Sequence, residues 1–111
     1  MLLEDIKKIL NCRVLCCEEL LNLEIGEVCA TDLMSNVLAT SGTNTLLITG
    51  LNNIQVVRTA EMSDIPAVVF IQDRIPNNDV IELAKEKNIV LMVSNYSMYS
   101  ACGNLYLAGL R

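Results

Sequence analysis

Three stretches, TLLITG (45–50), AVVFIQ (67–72) and IVLMVS (89–94), are apolar at nearly every residue rather than at every second one. A strand that buries one face alternates, whereas a strand that reads continuously apolar is covered on both. Between them lie segments of helical length, NNIQVVRTAEMSD (52–64) and DVIELAKEKN (79–88). Strands of this kind joined by helices pack as parallel neighbours through right-handed crossovers. The expected fold is α/β: a mostly parallel sheet with flanking helices.

The remaining elements follow from local pattern. LLEDIKKIL (2–10) carries Leu3, Ile6, Ile9 and Leu10 on one helical stripe, and RVLCC (13–17) reads as a strand. The stretch 18–31 is broken by Gly26, with EVCAT as a short second strand. Asp32 suits the N-cap of LMSNVLAT, which turns Leu33, Met34, Val37 and Leu38 inward and ends at Ser41-Gly42. Asn52 or Asn53 caps the helix over 52–64, which buries Ile54, Val57 and Met62. Asn77 or Asn78 starts the next helix, with Asp79 and Glu82 early and Lys85 and Lys87 late, the order that suits the helix dipole. A last helix spans 96–110, with Gly109 near its end.

With 111 residues the chain is expected to form one domain, 1–111, burying roughly 65% of its unfolded surface. Hydrophobic residues make up 52% and mean hydropathy is +0.42, yet no apolar run reaches the roughly 18 residues that span a bilayer. No basic segment precedes an apolar block, so no export signal is read and a cytoplasmic location is expected. The surplus apolar surface must go into doubly covered strands or a subunit interface. A net charge of −5 repels nucleic acid, and no basic cluster exceeds Lys7-Lys8. Neither nucleic acid nor a membrane is expected as a partner.

Cys12, Cys16, Cys17, Cys29 and Cys102 are odd in number, which argues against a disulfide framework. Zinc would want a C-x-x-C pair or histidines, and the chain has neither. The spacing of the first four matches no iron–sulfur run. The cysteines are read as small core residues, with no metal or cofactor.

In a parallel sheet, ligands sit beyond the carboxyl ends of the strands. That rim carries Gly50, Asn52 and Asn53, then Asp73 and Arg74, then Ser94. Helix-start amides and the Arg74 guanidinium suit a small anion. The alternative is that Asp73-Arg74 only solvates a strand exit. No reaction is legible: without histidine no Ser-His or Cys-His pair exists, and neither phosphate-loop pattern occurs. The chain is expected not to be an enzyme. Tyr96, Tyr99 and Tyr106 recur at three- and seven-residue spacings, a stripe that suits a packing or subunit face.

Taken together, CATDLMSNV (29–37), VFIQDRIPNNDVIELAKEKNI (69–89) and SMYSACGNLY (97–106) resemble, in order and spacing, the DRTGG domain family in its stand-alone form. The resemblance covers about 28–107 and implies a fold like the N-terminal domain of HPr kinase. It also implies homo-oligomers, most simply dimers, and a regulatory rather than catalytic role. Relatives stand beside CBS domains or within pyrophosphatases and phosphotransacetylases, and stand-alone forms suggest an accessory role in anaerobic, hydrogenase-linked metabolism. The family's T-G-D-R-x-D-I is TGLNNI here, and its later Gly-Gly turn is matched to Asp73-Arg74. Two roles follow: an assembly domain docking on a protein partner, or a sensor binding a small anionic metabolite or nucleotide at the rim.

Overall fold

The computed structural model describes residues 1–40 and 42–111. Helix α1 (Leu3–Ile9) leads into strand β1 (Arg13–Cys16), followed by a single 3-10 turn at Glu18–Leu20 and strand β2 (Glu27–Ala30). Then come α2 (Met34–Thr40), β3 (Thr45–Thr49), α3 (Ile54–Met62), β4 (Ala67–Phe70), α4 (Asn78–Glu86), β5 (Val90–Val93) and α5 (Met98–Leu107). The five strands form one sheet in the order β1-β5-β4-β3-β2. Strands β2 to β5 run parallel, and β1 lies antiparallel against β5 at one edge.

The continuous apolar strands are covered on both faces, as their pattern requires. Leu46, Ile48, Val69, Val90 and Met92 point to the side of α1 and α5, where Leu3, Ile6 and Leu105 meet them. Leu47, Val68, Phe70, Leu91 and Val93 point to the side of α2, α3 and α4, against Val37, Val56, Val57, Val80 and Ala84. The chain between β1 and β2 crosses from one sheet edge to the other, sending Leu21 and Ile25 into the first of these cores.

Helices α1, α3, α4 and α5 end alike. Asn11, Asp64, Asn88 and Gly109 each take a left-handed φ just past the helix. The next amide (Cys12, Ile65, Ile89, Leu110) reaches five residues back, to the carbonyls of Lys7, Ala60, Ala84 and Leu105, at 2.9–3.0 Å. Those four following residues are all buried. This is the Schellman arrangement, in which a left-handed residue satisfies the last carbonyls and an apolar one seals the end.

Several expectations need correction. Leu33, Leu38 and Met62 are exposed rather than inward. Leu33 precedes the first turn of α2, Leu38 sits about 100° round from the buried Val37, and Met62 sits about 200° round from Ala60. Asp32 does not cap α2, which starts two residues later, and its carboxylate is used elsewhere. Cys17 is not in a strand but takes φ 63° at the exit of β1. Tyr96 precedes α5, whose N-cap is Ser97. The expected end of α2 falls on Ser41, outside the described residues.

All five cysteines lie outside disulfides. Burial pushes the Cys12 thiol up to about 12 against the pull of Lys7, and the Cys16 thiol up to about 11. An unfolded thiol ionises near 9, so above that pH the unfolded chain releases protons that the folded chain keeps. This stabilisation is whole below pH 9 and is lost as pH rises towards 11 to 12. Denaturant titrations should show the fall beginning near pH 9 and approaching about 1.4 kcal/mol per pH unit for each such thiol between pH 9 and 11. The decline should be shallower in Cys12→Ala.

Candidate functional site

The carboxyl ends of β2 to β5 form one rim, and its polar groups largely serve one another. Asp32, just past β2, accepts from the Thr49 hydroxyl at 2.9 Å and from the Gly50 amide at 2.7 Å. The approach is close: a Cβ on Gly50 would stand 3.3 Å from Asp32 Oδ2, which explains a glycine there. Asn53 caps α3 by accepting from the Gln55 amide at 3.1 Å, so of the two asparagines it is the cap. Asn52 Nδ2 lies 3.4 Å from the Ile75 carbonyl, and Arg74 Nη1 lies 3.4 Å from the Gly50 carbonyl. Ser94 is fully buried; its hydroxyl donates to the Leu10 carbonyl at 2.7 Å and accepts from the Tyr96 amide at 3.1 Å.

The turn after β4 is tied to the exit of β5. The Gln72 amide donates to the Tyr96 carbonyl and the Asp73 amide to the Ser94 carbonyl, both at 2.9 Å. Gln72 and Asp73 both take φ 54°, and the Arg74 amide closes the turn onto the Ile71 carbonyl at 3.1 Å. The two positions that favour glycine are therefore 72 and 73, one residue earlier than the match to Asp73-Arg74. A glutamine is poorly suited to that region. Gln72→Gly should stabilise the fold by about 1 kcal/mol, read as a rise in Tm of about 5 °C.

The rim thus brings Gly50, Asn52 and Arg74 together, leaves Asp73 exposed in the turn and holds Ser94 beneath the surface. Beside it, the starts of α3 and α4 flank an open cleft of about 280 Å³ lined by Asn52, Asn53, Ile54, Asn77, Asp79 and Val80. The crossover helices α2, α3 and α4 all lie on one face of the sheet. The parallel strands are therefore wound in one direction, without the reversal of strand order that opens a ligand crevice in doubly wound sheets.

A second surface is apolar. Tyr99 is 89% exposed, Tyr106 60% and Leu107 80%, all on α5. With Cys102 and Gly103 they line a shallow concavity of about 400 Å³. Cys102 and Tyr106 also line a groove of about 230 Å³ that runs to Val28 and Ala30 of the edge strand β2. Arg111 closes its end, with its guanidinium 5.0 Å from the Tyr106 ring centre and its Nε donating to the Tyr106 carbonyl at 3.0 Å. Tyr96 is half-buried against the other core residues and lies apart from the two exposed tyrosines. The contribution of β2 to this surface was missed in the sequence, because strand order places it there. Leu107 was legible as the apolar neighbour of Tyr106.

Among the described residues no group of three or more His, Cys, Asp or Glu is placed to hold a metal ion, and no helix is long and apolar enough to cross a membrane.

The model of the DRTGG domain family matches residues 5–107. The chain is similar in structure to the CBS and DRTGG domains of the regulatory region of Clostridium perfringens pyrophosphatase, solved with the activator diadenosine tetraphosphate. That match has a TM-score of 0.77 at 17% sequence identity, and covers 93% of this chain and 45% of that one. The chain thus spans less than half of the solved region. No curated protein sequence matches.

Proposed function

Because the chain belongs to the DRTGG domain family, we propose that it is a regulatory module that works by assembly: two copies associate, and the dimer docks on a protein partner. The observation that carries this reading is the apolar surface formed by α5 and the edge of β2. A tyrosine can bury roughly 200 Å², so Tyr99 and Tyr106 at their observed exposure offer about 300 Å² per copy, or about 600 Å² for a pair. A stable interface needs about 1,200 Å² in total. Leu107 and the groove along Val28 and Ala30 are the surface from which the remainder would come. The module is not an enzyme on this reading, and it works in the cytoplasm as an accessory to a redox enzyme of anaerobic metabolism, the setting that the family resemblance implies.

A second reading, a sensor of a small anionic metabolite or nucleotide at the rim, draws support from the cleft between α3 and α4 and from the activator bound by the pyrophosphatase region. Against it stands the use of Asp32, Asn53 and Ser94 within the fold. One experiment separates the two. Melting the protein across a hundredfold range of its own concentration should raise Tm with concentration, since association stabilises by mass action. A panel of nucleotides and phosphorylated metabolites at fixed protein concentration should leave Tm unchanged. A concentration-independent Tm that rises by about 10 °C with one nucleotide would favour the sensor.

A further inference from the structure

The two edges of the sheet are treated differently. At β1 the edge is blunted: Arg13 is charged and exposed, the register slips between Val14 and Cys16, and Cys17 turns left-handed at once. These are the devices by which an edge strand avoids pairing. The β2 edge carries a charge at its first residue as β1 does, but neither the register slip nor the left-handed exit. Its register with β3 is regular from Glu27 to Ala30, and its one charge, Glu27, stands at the end.

The hydrogen bonds of β2 also show which of its groups face outward. The Glu27 amide donates to the Asn44 carbonyl at 3.2 Å and the Thr31 amide to the Ile48 carbonyl at 3.0 Å, so the odd-numbered residues are turned towards β3. By strand alternation, the backbone groups of Val28 and Ala30 point away from the sheet. The side chains of these two residues line the groove that continues onto α5.

We infer that β2 pairs antiparallel with β2 of a second copy, making one continuous sheet through the dimer. This deepens the proposed self-association and rests on it. Only one symmetric register uses both outward residues of each strand: Val28 faces Ala30 of the second copy, and Ala30 faces its Val28. Each such pair exchanges two hydrogen bonds, the self-complementary pattern that a two-fold axis demands. Charge agrees with the register. Glu27 then stands opposite Thr31, and the two Glu27 residues are four positions apart, about 13 Å. That exceeds the screening length of about 8 Å at physiological salt, so the carboxylates do not oppose pairing. The same two-fold brings the α5 surfaces together on one side of the sheet, covering Tyr106 and Leu107.

A specific consequence follows for Cys29. In this register it faces its own counterpart across the axis at a non-hydrogen-bonded position, where Cα atoms stand about 4.5 Å apart. That is within the span of a disulfide, about 4.4–6.8 Å. Cys29 is half-buried and outside any disulfide. The test is oxidation with diamide, which takes two protons and two electrons from a pair of thiols as the sulfur–sulfur bond forms. A disulfide-linked dimer should appear on a non-reducing gel, vanish in Cys29→Ser and persist in Cys102→Ser. Ala30→Pro removes an outward amide without touching the ladder to β3, so it should weaken association at least tenfold while the circular dichroism stays unchanged. A protein that sediments as a dimer but gives no cross-link through Cys29, or dimerises as tightly with proline at 30, would overturn the register and leave self-association standing. A protein that stays monomeric would overturn both.

Discussion

Tyr106→Glu combined with Leu107→Glu is expected to leave a folded monomer, with the dissociation constant raised at least a hundredfold, or about 2.7 kcal/mol. Both side chains are largely exposed in a single copy, so a carboxylate there stays hydrated and the fold of the monomer loses little. In the dimer the same carboxylates would be stripped of water on an apolar surface, where Arg111 beside position 106 can pair with only one of them, and that cost falls on association. Sedimentation velocity on the double variant and the parent checks it, with Tm measured on dilute samples to show that the fold is intact. Equal association of the two proteins would remove α5 from the interface.

Ser94→Ala should cost about 2 kcal/mol of stability and carry no separate effect on any ligand. The hydroxyl is fully buried and joins three parts of the chain: it donates to the Leu10 carbonyl at the end of α1 and receives the Tyr96 amide before α5, at the exit of β5. Alanine would leave a buried carbonyl and an amide unpaired, each at a cost of about 1–3 kcal/mol less whatever water recovers. Urea denaturation measures the loss directly. A loss below about 0.5 kcal/mol would mean that the hydroxyl is idle in the fold, and would return Ser94 to the ligand rim.

The second half of the chain was the more legible because its strands are buried on both faces and its helices are bounded by residues with a backbone reason to be there. Asn53, Ser97 and Gly109 cap as their chemistry suggests. Short elements misled. In α2, seven residues long, Val37 is buried and Met34 half-buried against the same core, so the apolar Leu33 and Leu38 beside them look like core and are not. Asp32 has the chemistry of a helix cap, but the exit of β3, seventeen residues away in sequence, supplies a hydroxyl and an amide that take it instead. Nothing local signals that competition.

Of the rim residues, Arg74 and Asn52 lie near Gly50, whereas the burial of Ser94 depends on how α1 returns over β5, a long-range fact. The apolar surface was half legible. Tyr99 and Tyr106 mark one helical face, but the surface continues to the edge of β2, and the strand order that makes β2 an edge is invisible in periodicity. The left-handed pair Gln72-Asp73 was not legible because neither residue is glycine; only the backbone shows it, where the turn closes onto Ile71.

The proposed association of two copies through α5 and β2 has a plain signature in solution. Sedimentation equilibrium of the reduced protein from about 1 to 100 μM tests it most directly, since a specific interface of modest size forms in that range. Association through this surface should give a monomer–dimer equilibrium that reaches twice the 12.2 kDa chain mass and no further. A single species at the monomer mass across the whole range would contradict it.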